Sequence, residues 1–226
     1  MKVIWLGQAG LLFSFEDKTI LIDPYLSDSV ARVEPHNKRR VDVDKSFFHI
    51  RPNIIILTHN HLDHNDPESL KHYLCDDTGV CVLASSNAWN TVRKEFGGNK
   101  NNYISFNRGT RWTEGNICIK AVYAEHSDDH AIGVIIEAEG KIYYITGDTL
   151  YNEEIFNDLP EHIDYVFLPV NGRGNNMNMS DAKAFCERIS ATAITMHCGL
   201  FDDIDMHEFD YDRKIVPEFF KEIKLI

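Results

Sequence analysis

Residues 54–70 read IIILTHNHLDHNDPESL, and this stretch decides the fold. Ile54 to Leu57 are four apolar β-formers in a row, the pattern of a short buried strand. Directly after them come His59, His61, Asp63 and His64, all side chains that bind divalent metals. His59 and His61 stand two apart on the turn leaving the strand, so both imidazoles can reach one ion. Asp63 and His64 serve that ion or a neighbour. Asp66 before Pro67 then starts a helix, as an N-cap followed by proline at the first helical position. Leu70, Tyr73 and Leu74 form the buried stripe of that helix.

The same arrangement, a strand followed by a metal-capable side chain, recurs downstream. His126 follows the strand ending at Ala124, Asp148 follows IYYIT in a TGDT turn, and His197 follows AITM. Any one of these alone reads as a structural histidine or a turn aspartate. Together they bring five histidines and two carboxylates to one rim, enough for two adjacent divalent ions. His59, His61 and His126 would take one ion, Asp63, His64 and His197 the other, with Asp148 bridging. Neutral imidazole and carboxylate without thiolate suit zinc or manganese, and iron as well.

The flanking sequence reads as strands over 2–6, 11–15 and 19–22, then a polar, aperiodic excursion over 27–50. Excursions of that length in a compact domain are often functional lids. A helix carrying Trp89, Val92 and Phe96 ends at Gly97-Gly98. Strands follow over 117–124, 131–137, 141–146, 165–170 and 192–196. Between the last two, Ser180 is expected to cap a helix whose stripe is Ala182, Phe185, Cys186 and Ile189. A final helix is predicted over 215–221. Strands first and alternating units after suggest two sheets with helices outside, in a single domain over 1–226.

Composition narrows the function classes. A net charge of −12 argues against a nucleic-acid surface, which needs cations to displace counterions from phosphates. The basic spot Lys38-Arg39-Arg40 reads as a solvated loop, with attraction of an anionic substrate as the alternative. No apolar run is long enough to span a membrane, and the N-terminus makes a poor signal peptide. Five cysteines without a C-x-x-C pair fit reduced thiols and a cytoplasmic location. A homo-oligomer is consistent with all of this.

The set H-x-H-x-D-H (His59 to His64), then His126, Asp148 and His197 in order, resembles the metallo-β-lactamase superfamily. The opening GQAGLLFSFEDKTILIDPYLSD is similar to that superfamily's first hairpin and Asp-Pro turn. The resemblance implies an α+β fold, an αββα sandwich of two mixed sheets flanked by helices, with a dinuclear site at one edge. It also implies a second-sphere place for Asp23, fixing a ligand imidazole. LPVNGRGNNMNMSDAKAF followed by ITMHCGLFDD is similar to the branch holding ascorbate-6-phosphate lactonase. That narrower resemblance implies opening of a cyclic sugar-acid ester, although this chain is much shorter than the lactonase.

A metal-activated hydroxide oriented by Asp63 is then expected to attack the ester, with Asp148 holding the ions together. His130 is a candidate proton donor to the leaving oxygen, or else a surface histidine. Asn171, Arg173 and Asn176 are candidates for binding a small anionic substrate, since a glycine-bearing loop and a guanidinium suit phosphate or carboxylate. Cys198 reads as packing. A phosphodiesterase or nuclease, and a non-catalytic metal-binding protein, stand as the alternatives.

Overall fold

In the computed structural model, which describes residues 1–225, the chain builds two sheets in sequence order. Ile226, the last residue of the expected domain, lies outside the described residues. The first sheet runs β1 (Lys2–Gly7), β2 (Gly10–Ser14), β3 (Thr19–Ile22), β4 (Ile54–Leu57), β5 (Cys81–Ala84) and β6 (Asn102–Ser105). β1 to β3 are antiparallel, and β3 to β6 are parallel. The second sheet has the order β13-β12-β11-β10-β9-β8-β7. It contains β7 (Arg111–Glu114), β8 (Ile117–Tyr123), β9 (Ile132–Ala138), β10 (Lys141–Ile145), β11 (Tyr165–Pro169), β12 (Thr192–Met196) and β13 (Lys214–Ile215). Here β7 to β10 are antiparallel and β10 to β13 parallel.

The period-two alternation of the strands explains the layering. Ile20, Ile22, Ile54 and Ile56 point into the core between the sheets. Their neighbours Leu21, Ile55 and Leu57 point the other way, onto α2 (Pro67–Leu74) and α3 (Ser86–Phe96). A strand buried on both faces reads as an unbroken apolar run, which is why IIIL carries no alternation. Each fully buried side chain of this kind contributes about 1.5–3 kcal/mol. On the second sheet, α4 (Met179–Ile189) lays Ala182, Phe185 and Cys186 into the core. Two mixed sheets flanked by helices make the αββα sandwich.

Several local expectations change. The cap of α4 is Asn178, whose side chain accepts from the N–H groups of Ser180 and Asp181, so the helix starts before Ser180. No helix forms over residues 215–221; β13 covers Lys214–Ile215 and the chain then runs back along β1. Pro217 lacks the N–H a helix interior needs, and the apolar residues found better partners. Phe219 stacks on Trp5 with ring centroids 4.3 Å apart, and Ile223 N–H donates to Val3 O at 2.8 Å. The excursion over 27–50 carries α1 (Val30–Val33) and two short 3-10 turns. It is pinned down: Leu26 N–H donates to Ser69 Oγ, Arg39 Nη1 to Tyr25 O, and Arg40 N–H to Leu200 O. Lys38 and Arg40 are exposed, whereas Arg39 turns inward over the Tyr25 ring.

Candidate metal centre

All the site loops leave the C-terminal ends of strands at one edge of the sandwich. β4 delivers His59, His61, Asp63 and His64; β8 delivers His126, β10 Asp148 and β12 His197. The donor atoms fall into two groups. His59, His61, His126 and Asp148 form one, and Asp63, His64 and His197 the other, each with its donors within 4.8 Å of one another. The three imidazoles of the first group stand around a common point, with ring centroids 4.3–4.7 Å apart. Asp148 Oδ1 also reaches the second group, 3.3 Å from His64 Nε2 and 3.2 Å from His197 Nε2. His197 Nε2 is 3.4 Å from Asp63 Oδ2.

These separations suit a metal. Donors on a tetrahedron with bonds of about 2.1 Å sit about 3.4 Å apart. His59 Nε2 and His126 Nε2 are buried with no hydrogen-bond partner, a costly state that a bound cation relieves. Among the described residues, the donor set holds no thiolate.

Supporting contacts fix these side chains. Buried Asp23 accepts from Thr58 N–H at 2.8 Å and Thr58 Oγ at 2.5 Å, and its Oδ2 lies 2.8 Å from His64 Nδ1. Gln8 Nε2 donates to Asp63 Oδ2 at 3.1 Å and lies 3.2 Å from His197 Nδ1. Asn171 Nδ2 donates to the His197 carbonyl at 2.8 Å. Gln8, Asp23 and His197 all adopt positive φ, 46°, 41° and 66°. Left-handed backbone is disfavoured in such residues and gathers at functional sites. Gly147, at φ 61°, makes the turn that presents Asp148; a Cβ there would lie 2.9 Å from the Ile132 carbonyl.

The electrostatics differ between the groups. Burial, with His64 nearby, holds His59 well below the ordinary imidazole range. Burial also takes His126 down to about 4. For His64, burial opposes the charge, but Asp148, Asp23 and Asp63 outweigh it and hold the ring well above its usual value. His197 is raised in the same way: burial opposes, and Asp148 prevails. Burial likewise works against an ionised Asp148, yet His197 and His64 keep it well below the carboxylate range.

A cleft of about 360 Å³ opens beside the donors. Asn171, Arg173 and Asn176 line it, together with Asp63, Asp148 and His197. Arg173 Nε lies 3.7 Å from the buried Asp202 carboxylate, and its Nη atoms make no hydrogen bond among the described residues. Asn176 is buried, and its Oδ1 has no partner. His130 is placed apart: it is exposed, its N–H donates to Asp128, and it does not line the cleft. Cys198 is fully buried, with its thiol pushed up to about 12 by burial, as befits packing. Gln8 and Thr58 are the supporting residues that sequence reading missed. Gln8 was visible only as part of a Gly-Gln-Ala-Gly turn, and Thr58 only as the residue before the first histidine.

This fold and donor set define a class. The chain belongs to the metallo-β-lactamase superfamily; the family model described as "Beta-lactamase superfamily domain" matches residues 2–197. Within it, the protein belongs to the UPF0173 metal-dependent hydrolases. One such hydrolase from Thermoplasma acidophilum is 30% identical over 89% of this chain and 85% of its own. Solved structures share the fold. A metallo hydrolase from Ignicoccus hospitalis superposes with a TM-score of 0.76 at 19% identity, covering 98% of this chain and 97% of its own. An isothiocyanate hydrolase from Delia radicum gut bacteria gives 0.75 at 17% identity, covering 100% and 99%. No helix among the described residues is long and apolar enough to cross a membrane.

Proposed function

We propose that this metal-dependent hydrolase works with two divalent ions, zinc or manganese with iron also suitable, on a small anionic ester or lactone. One ion would sit on His59, His61 and His126, the other on Asp63, His64 and His197, with the Asp148 carboxylate between them. The observation that carries the reading is the Asp148 carboxylate, which belongs to the first donor group and brings its Oδ1 within 3.3 Å of two imidazoles of the second. Two such ions supply a water of lowered pKa and polarise the substrate's carbonyl oxygen.

The protein's own residues do the rest. Asp63, held by Gln8, can accept a hydrogen bond from the attacking water and so fix its direction. Arg173 turns its Nε toward Asp202 and leaves its Nη atoms for an acid group of the substrate. Asn176 Oδ1 offers an acceptor for one substrate N–H or O–H. His130, outside the cleft, receives no part in this scheme. A sugar-acid lactone, with or without phosphate, is one member of the class and rests on the Asn-Gly-Arg, Asn-Met-Asn and His-x-Gly-x-Phe motifs alone. Five unpaired cysteines favour a cytoplasmic setting, and the reading needs neither nucleic acid nor membrane. A nuclease reading is the weaker one, since Arg173 is the one Lys or Arg lining the cleft.

The test is elemental analysis of the purified protein, followed by assays of lactones, esters and an isothiocyanate with zinc and with manganese. Two metals per chain and turnover of an acid-bearing lactone are expected. Inactivity across the panel with both metals would end the ester reading.

A further inference from the structure

The cleft has two unlike walls. One is the polar loop with Asn171, Arg173 and Asn176. The other is formed by Val30, Leu62 and Phe201, which join buried Tyr25 and Leu200 in an apolar cluster separate from the two larger cores. Val33 extends this wall to the mouth. At 70% exposure it is the most exposed large hydrophobic side chain among the described residues.

This wall is built rather than incidental. The Tyr25 ring meets Phe201 edge-on at 5.6 Å, and Tyr25 OH accepts from Val30 N–H at 3.2 Å. Arg32 pairs with Glu68 on α2, so the short helix carrying both valines is tied to the scaffold from outside. A fixed apolar surface facing water gains when an apolar group covers it. Sugar hydroxyls pressed there would lose their water and find no partner. Glu34 beside Val33 disfavours a second acid group at the mouth, which leaves Arg173 as the place for the anion.

We infer that the substrate of this site is amphiphilic, with its acid group at Arg173 and a short alkyl or aryl group against Val30, Val33, Leu62 and Phe201. The inference rests on the hydrolase reading for the bond between those ends. The preference of the wall needs no turnover. A cleft of about 360 Å³ lies near the small end of ligand pockets, which keeps the apolar group short.

The test has two arms. In the first, butyrate, hexanoate and octanoate are titrated calorimetrically into the protein as purified. Affinity is expected to rise roughly two- to fourfold per methylene until the cleft is filled. Val33→Asp, at an exposed position, is expected to flatten that slope. In the second, kcat/KM is compared for monoethyl, monobutyl and monohexyl succinate and for the polyhydroxylated glucaro-1,4-lactone, each of which carries a free carboxylate for Arg173. A rise along the alkyl series with the glucarolactone lowest supports the inference. Turnover that ignores chain length, or favours the glucarolactone, overturns it and leaves the hydrolase standing. Chain-length-dependent binding without any turnover keeps the wall and removes the ester reading. Flat binding in the first arm with no turnover in the second removes both.

Discussion

The two donor groups stand side by side yet are held in different ways. The group of His59, His61 and His126 has thin support. His59 Nδ1 meets Thr58 Oγ at 3.1 Å, His126 Nδ1 accepts from Asp128 N–H at 2.9 Å, and His61 is exposed. The group of Asp63, His64 and His197 is braced by Asp23, Gln8 and Asn171, side chains drawn from three separate segments. The three rings of the first group hang from strand ends and lean on few side chains, with Asp148 completing that group. In the second, Asp63 Oδ2 lies 3.4 Å from His197 Nε2, so its members attract one another directly and are oriented by partners outside the group. The left-handed backbone at Gln8, Asp23 and His197 belongs wholly to that braced side.

The largest effects should come from the residues that serve as donors in either group. Asp148→Asn and His61→Ala are each expected to remove about 4 kcal/mol of charge stabilisation, about a thousandfold in kcat/KM, while the circular dichroism of the fold stays unchanged. Retained turnover in Asp148→Asn would break the sharing of that carboxylate. Next come the braces. Asp23→Asn should weaken metal affinity by about 10- to 100-fold, read as metal retained during chelator titration. Asp128→Ala should change it far less, since it is the Asp128 backbone N–H that meets His126. Equal losses in the two variants would erase the contrast between the groups.

A smaller effect is expected from Gly147→Ala, about 1–3 kcal/mol of stability in denaturant melts, because the new Cβ meets a carbonyl at positive φ. The smallest lies away from the site and serves as its control. Arg108 grips Asp158 through Nε at 2.6 Å, beside Glu154. Burial opposes ionisation of Asp158, but Arg108 outweighs it and holds that carboxyl below its usual value of 3.8. A depressed folded pKa gives stability that is fully present above the unfolded value and lost as pH falls through the folded one. Asp158→Asn should therefore cost about 1 kcal/mol or less at pH 7 and converge with wild type in acid below about pH 3.8, with metal content unchanged.

Much of this was legible in the sequence for a physical reason. A parallel strand buried on both faces must read as an apolar run, and in IIILTHNH and ITMH a metal-capable side chain stands within two residues of the strand's end, so the two signals appear together. Asp66-Pro67 marked a helix start because the cap and the missing N–H are local matters. What escaped depends on neighbours. β6 and β7, reading NYIS and RWTE, are partly exposed and lack a clear period, while β13 has two residues and forms only beside β12. β5 is as short and as buried as β4, but CVLA is followed by no metal-capable side chain to mark its end. The Ile215, Phe219 and Ile223 spacing imitated a helix because the stacking of Phe219 on Trp5 is invisible along the chain. Gln8 was hidden for the same reason, being 55 residues from Asp63 and 189 from His197.

The rim draws on both sheets unequally. The loop after β4 brings four donors, while the second sheet brings His126, Asp148 and His197. Neither half of the sandwich owns a complete group. A cation bound there would act as a clasp, able to grip only when the halves have docked. Its binding energy would accrue to the assembled state alone, so the melting temperature should climb with free metal concentration. Cells short of that metal would then hold a looser protein, turned over sooner, and the abundance of this hydrolase would follow the supply of its own cofactor.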